Sequence, residues 1–177
     1  MRIPSLGFSL IELMVTVSVL AIVLAMGVPS FQQLILNNRM AVQANDFLAA
    51  LNFGRSESIK RGQRITLCKS ADLSSCTTAG NWGQGWIVFV DSNNNATADD
   101  GSGTLLKIHE SITPSTLSGN TNVANYVSYT PDGTTRLTSN AFQAGTLTLC
   151  PGASNMTGRT ITINAVGRAR ISTVTCT

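Results

Sequence analysis

Two arginines near the end of this 177-residue chain have the type and the spacing to do chemistry. They lie in the stretch Asn164-Ala165-Val166-Gly167-Arg168-Ala169-Arg170-Ile171-Ser172. Asn and Gly favour a turn over residues 164–167, and the alternation that follows predicts a strand with Arg168 and Arg170 on one face and Ala169 and Ile171 on the other. Guanidinium groups two strand positions apart stand about 6.6 Å from each other, near two steps of roughly 3.4 Å along one DNA strand, so each could grip a phosphate without reading a base. The competing reading is an edge strand whose charges guard against aggregation.

A second chemical feature is Glu12, the one acid inside the apolar run of residues 8–28. As a helix, that run would span about 31 Å, close to the hydrocarbon thickness of a bilayer. An acid there costs on the order of 3 kcal/mol, so it needs a cation. Gly7-Phe8 stands before the run; cleavage between them would free an amino group on Phe8, one helical turn from Glu12. The alternative is an ordinary secretory signal, with Arg2 as its basic start, residues 10–24 as its apolar stretch and Ala25-Met26-Gly27 as the cleavage site.

Other residues suggest less. Cys68, Cys76, Cys150 and Cys176 lack paired zinc-site spacing and read as disulfides made after export. Three pairings are possible; the preferred one joins Cys68 to Cys76 in a short loop and Cys150 to Cys176, tying the C-terminus to a strand. Each bridge would stabilise the fold by roughly 2–4 kcal/mol. The segment Asp91-Ser92-Asn93-Asn94-Asn95-Ala96-Thr97-Ala98-Asp99-Asp100-Gly101 has oxygen ligands in Asp91, Asn93, Asn95, Asp99 and Asp100. Ala96 and Ser102, however, replace the glycine and glutamate of a calcium loop, so it reads as a turn. His109 is the one histidine, with no nucleophile or orienting acid placed beside it by a motif; it reads as a surface strand residue, and the chain as a non-enzyme without metal or cofactor. Trp82 and Trp86 read as core anchors. With 12% charged residues and a net charge of +3, composition does not announce a nucleic-acid binder, and any basic site must be local. Lys60, Arg61 and Arg136 are candidate helpers of the arginine pair.

These groups are positioned by four segments: a leader at 1–7, an apolar helix at 8–30, an amphipathic helix at 31–61 and a β-rich head at 62–177. Ala44, Phe47, Leu48 and Leu51 share one helical face, and Lys60, Arg61 and Gly62 suit a helix end. The runs RITLC, GWIVFVD, TLLKIHE, YVSYT, TLTLC and TITIN alternate as strands do. The Asn/Thr-rich middle, residues 111–140, carries little signal.

Gly7-Phe8-Ser9-Leu10-Ile11-Glu12-Leu13 resembles the class III signal of type IV pilins and type II secretion pseudopilins, and Pro29 stands where pilins usually carry a helix-bending proline. NWGQGWIVFVDSNNN, with Trp82, Trp86, Phe89 and Asp91, resembles the GspH/FimT class of minor pilins and pseudopilins. Gly167, Arg168 and Arg170 match the Gly-Arg-x-Arg motif of FimT-type minor pilins, for which DNA capture in natural transformation has been proposed. The resemblance implies a pilin-like α+β fold: a long N-terminal helix, membrane-spanning in its first half, packed on a β-rich head with two disulfides. It implies cleavage after Gly7 by a prepilin peptidase, N-methylation of Phe8, and assembly through Glu12 and Pro29, with Glu12 meeting a neighbour's N-terminal amine. The expected protein is a minor pilin at or near the pilus tip, with other pilins, the inner membrane and DNA as partners; the alternative is a type II secretion pseudopilin. The expected location is the bacterial inner membrane, single-pass with a periplasmic head, and then the pilus or pseudopilus.

Overall fold

The computed structural model describes residues 7, 9–98, 104–152 and 156–176. The chain divides into two units, one up to Asn38 and one from Arg39 onward, and helix α1, Leu10–Arg61, contributes to both. In the first unit, residues 10–28 of α1 are apolar on every side and exposed throughout: Leu10 is 78% exposed and Val28 49%. Gly27 and Pro29 lie within it.

In the second unit the apolar residues of α1 retreat to a stripe. Met40, Ala44, Phe47, Ala50 and Leu51 are buried, and Leu48 sits half-buried at the stripe's margin. At Gly54 the helix lies close against the first sheet, where an added Cβ would lie 2.6 Å from Leu67 Cδ1. Lys60 and Arg61 occupy the last turn, and Gly62 follows in the left-handed region at φ 64°.

The strands form two antiparallel sheets. β1 (Ile65–Lys69), β2 (Trp86–Val90), β3 (Leu105–His109) and β5 (Tyr126–Tyr129) make the first, in the order β3-β2-β1-β5. β4 (Thr116–Gly119), β6 (Gly145–Cys150), β7 (Thr157–Ile163) and β8 (Ala169–Thr175) make the second, in the order β4-β6-β7-β8. The helix stripe shares one core with Ile65, Leu67 and Val88 of the first sheet and Leu117, Leu147, Leu149, Ile161 and Ile163 of the second. The far side of the first sheet has a small cluster of its own, Cys68, Ile87 and Phe89, with Cys76 and Tyr126 against it. Strands β1 and β2 are therefore buried at every position, while β6 and β7 largely alternate.

Disulfides join Cys68 to Cys76 and Cys150 to Cys176. The fold is the α+β arrangement that the resemblance implies. β4 lay hidden in the weak middle of the sequence because it has four residues, starts just after Pro114 and carries one large apolar side chain, Leu117.

Candidate functional site

The N-terminal candidates lie on or beside the exposed half of α1. Phe8 lies outside the described residues; Gly7 is exposed. Ser9 precedes the helix, and its Oγ accepts a hydrogen bond from the Glu12 N–H at 3.3 Å. Ser9-Leu10-Ile11-Glu12 thus has the capping-box pattern, a local role for Ser9 that the reading of charge and hydropathy missed although the pattern was visible. The Glu12 side chain is exposed, and among the described residues the ion pairs join Glu57 to Lys60 and to Arg61, leaving Glu12 with none.

The C-terminal candidates sit on a hairpin between β7 and β8. Gly167 N–H bonds to the Asn164 carbonyl at 2.9 Å, Asn164 N–H to the Arg168 carbonyl at 3.0 Å, and Arg168 N–H to Asn164 Oδ1 at 2.9 Å. Gly167 has φ 77°, and an added Cβ would run into the Gly133 carbonyl oxygen, so the motif glycine is required by the fold. The turn is clamped from elsewhere in the chain. Arg55, on α1, donates from Nε to the Gly133 carbonyl at 3.0 Å and from Nη2 to the Val166 carbonyl at 3.1 Å. Thr135 donates its N–H to the Ala165 carbonyl at 3.2 Å, and its Oγ1 lies 3.1 Å from the Asn164 carbonyl. Tyr129 is buried beside Gly167, and burial pushes its hydroxyl up, against the opposing pull of Arg55, so it stays neutral.

On this platform Arg168 and Arg170 are both exposed, while Ala169 and Ile171 are half-buried against the core. Among the described residues neither guanidinium has an ion pair, and β8 is an edge strand. The expected helpers are engaged elsewhere. Arg61 and Lys60 pair with Glu57, whose carboxyl is held below its usual range chiefly by the bond from Arg61, and Arg136 lies 4.4 Å over the Phe142 ring.

The remaining candidates have structural roles. Asp91 is buried; Thr66 Oγ1 bonds its Oδ2 at 2.8 Å, Asn95 N–H its Oδ1 at 3.1 Å and Ala96 N–H its Oδ2 at 3.2 Å, so its carboxylate holds the turn together. Asp99 and Asp100 lie outside the described residues. Trp82 and Trp86 are buried, each edge-on to Phe47, and Trp82 Nε1 donates to the Val123 carbonyl at 3.0 Å. His109 is half-buried and stacks on Trp86 at 3.9 Å, so it is less of a surface residue than its alternating pattern predicts. Sequence reasoning missed Arg55, Gly133 and Thr135. One signal for Arg55 was its position four residues beyond Leu51, where the apolar stripe of α1 ends in a charge.

Comparison with known proteins gives two family matches: type II transport protein GspH over residues 43–167, and the prokaryotic N-terminal methylation motif over residues 4–28. The first ends at Gly167, one residue before the arginine pair. A crystal structure of the Pseudomonas aeruginosa (strain PAO1) type IV minor pilin FimU is similar at TM-score 0.59 and 20% identity, over 77% of this chain and 90% of that one. A second crystal form of FimU gives 0.55 and 22%, over 73% and 89%. No curated protein is similar enough to count as a match.

Proposed function

The chain belongs to the family of type II transport protein GspH, and from that premise we propose that it is a minor pilin of a type IV pilus. A prepilin peptidase cuts after Gly7, Phe8 is N-methylated, and the first half of α1 holds the chain in the inner membrane with its head in the periplasm. The same helix then becomes the filament core, at or near the tip, with Pro29 in the packed segment and Glu12 paired to the N-terminal amine of a neighbouring pilin. The observation that carries this reading is the apolar surface of residues 10–28, exposed throughout, with one acid in it. Such a surface is stable only against lipid or other subunits, and a carboxylate buried there needs a positive partner.

The test is Glu12→Ala in cells, read by immunoblot of sheared filaments. Loss from the filament fraction with normal cleavage is expected; unchanged incorporation refutes the assembly role. Mass spectrometry of the mature N-terminus is expected to find methylated Phe8, and an N-terminus at Val28 would mean an ordinary export signal.

A finer role follows from the arginine pair. Arg168 and Arg170 contact DNA phosphates without sequence preference, as natural transformation requires, and their support is exposure without an ion pair on a clamped turn. Among the described residues every buried one lies at or beyond Met40, so a head beginning at residue 36 keeps that core for a gel-shift assay. Arg168→Gln/Arg170→Gln is expected to weaken the shift at low salt; equal shifts refute the contact. The alternative of a type II secretion pseudopilin is favoured by the family's own description, and shares the helix and the Glu12 contact.

A further inference from the structure

Next to the arginine turn, the outer face of the second sheet has no role in the reading above. Leu147, Leu149, Ile161 and Ile163 face the core, so the residues alternating with them face outward. Thr162 stands opposite Arg170, and Thr146 opposite Thr162. Ser172 stands opposite Thr160, and Thr160 opposite Thr148. Two rows of hydroxyls therefore run inward from the arginine edge, with about 4.8 Å between strands and about 6.6 Å between rows.

The hydroxyls are paired among themselves, Thr160 Oγ1 with Ser172 Oγ at 2.7 Å and Thr146 Oγ1 with Thr162 Oγ1 at 3.4 Å. A hydroxyl has one proton and two lone pairs, so each pair uses one proton and leaves one to donate outward. The charge is one-sided as well: from Gly133 to the end of the chain there are four arginines and no Asp or Glu. Nothing in this stretch repels a polyanion.

We propose that this face extends the phosphate-binding surface of Arg168 and Arg170. A nucleic-acid backbone laid on the turn continues across the sheet, and one hydroxyl of the Thr146–Thr162 pair and one of the Thr160–Ser172 pair each donate a hydrogen bond to its phosphate oxygens. The inference rests on the DNA reading of the arginine pair and adds a set of uncharged contacts to it. Neutral donors displace no counterions, so the two sets leave different marks on salt dependence.

The test uses the full chain in non-ionic detergent micelles and a labelled DNA duplex, with affinity measured by fluorescence anisotropy over a salt series. Arg168→Gln/Arg170→Gln is expected to weaken binding and to reduce the salt slope by about two. Thr160→Val/Thr162→Val is expected to weaken binding about three- to tenfold with the slope unchanged. Thr160→Ser/Thr162→Ser keeps the hydroxyls and is expected to bind as wild type. If the valine variant binds as wild type while the arginine variant loses affinity, the extension is wrong and the arginine site stands. If the arginine variant also binds as wild type, the DNA reading fails and the extension with it. An equal loss in the serine and valine variants would assign the effect to methyl packing and overturn the proposal. So would loss of binding to phosphatidylglycerol vesicles by the valine variant with DNA binding intact.

Discussion

Between Leu10 and Val28, α1 carries apolar residues on every side and buries none of them in its own chain, whereas from Met40 to Ser58 it keeps them largely to a stripe that joins the core of both sheets. Both stretches are helix by the same backbone geometry, so the difference lies in what the side chains are prepared to meet. An all-round apolar surface finds its partner outside the chain; a stripe finds it inside. We propose that the one acid in the first stretch, Glu12, is a specificity device, because burial would demand a cation beside it. Charges in the second stretch close the end of the stripe, as Arg55 does when it reaches the Gly133 and Val166 carbonyls.

The comparison is tested most strongly by truncating one residue in each half. Phe47→Ala is expected to cost the head about 3–5 kcal/mol, read by denaturant unfolding, because Phe47 fills the space between Trp82 and Trp86. Leu20→Ala is expected to leave that unfolding within about 0.5 kcal/mol of wild type, while lowering incorporation into filaments. Similar effects of the two variants on head stability would erase the distinction.

A smaller effect sharpens it at the end of the stripe. Arg55→Ala removes two hydrogen bonds from a charged donor and is expected to cost about 1–3 kcal/mol. Hydrogen exchange at Gly167 and Arg168 is expected to speed up more than in β6; a uniform change would mean that Arg55 acts on the whole head.

The smallest effect concerns the turn that Arg55 grips. Asp132 accepts from Thr130 Oγ1 at 2.6 Å and from Thr134 N–H at 3.1 Å, and these bonds, Thr130's foremost, hold its carboxyl down at about 2. A lowered carboxyl stabilises the fold above its unfolded value and loses that contribution as pH falls from about 4 to about 2. Asp132 is exposed, so after solvent screening the gain is under about 1 kcal/mol. Asp132→Asn is expected to flatten stability against pH in that window; an unchanged acid profile would remove the turn from the account.

What the sequence made legible follows from the range of the interactions involved. The apolar run with Glu12, the stripe through Phe47 and the alternation of TITIN are local patterns, and each maps directly onto an element. The hairpin at residues 164–167 was readable because Asn164 and Gly167 meet the turn's own backbone demands. Its clamps were not, since Arg55 and Thr135 lie far from it in the chain and meet it only after the sheets have formed. Nor was the hydroxyl face: Thr146, Thr162 and Ser172 read singly as ordinary strand residues, and only the register sets them in rows. Lys60 and Arg61 show the reverse error, because their promise as free cations dissolved once Glu57 was placed within reach.

The bridge between Cys150 and Cys176 joins the end of β6 to the residue after β8, with β7 between them, and passes by Gly158, where an added Cβ would meet both sulfurs. The marginal strand that carries Arg170 is therefore fastened at both ends, by the hairpin at one and by a covalent tie to an interior strand at the other. A pull on that strand cannot peel it away bond by bond. Load applied along it passes through the tie into the middle of the sheet.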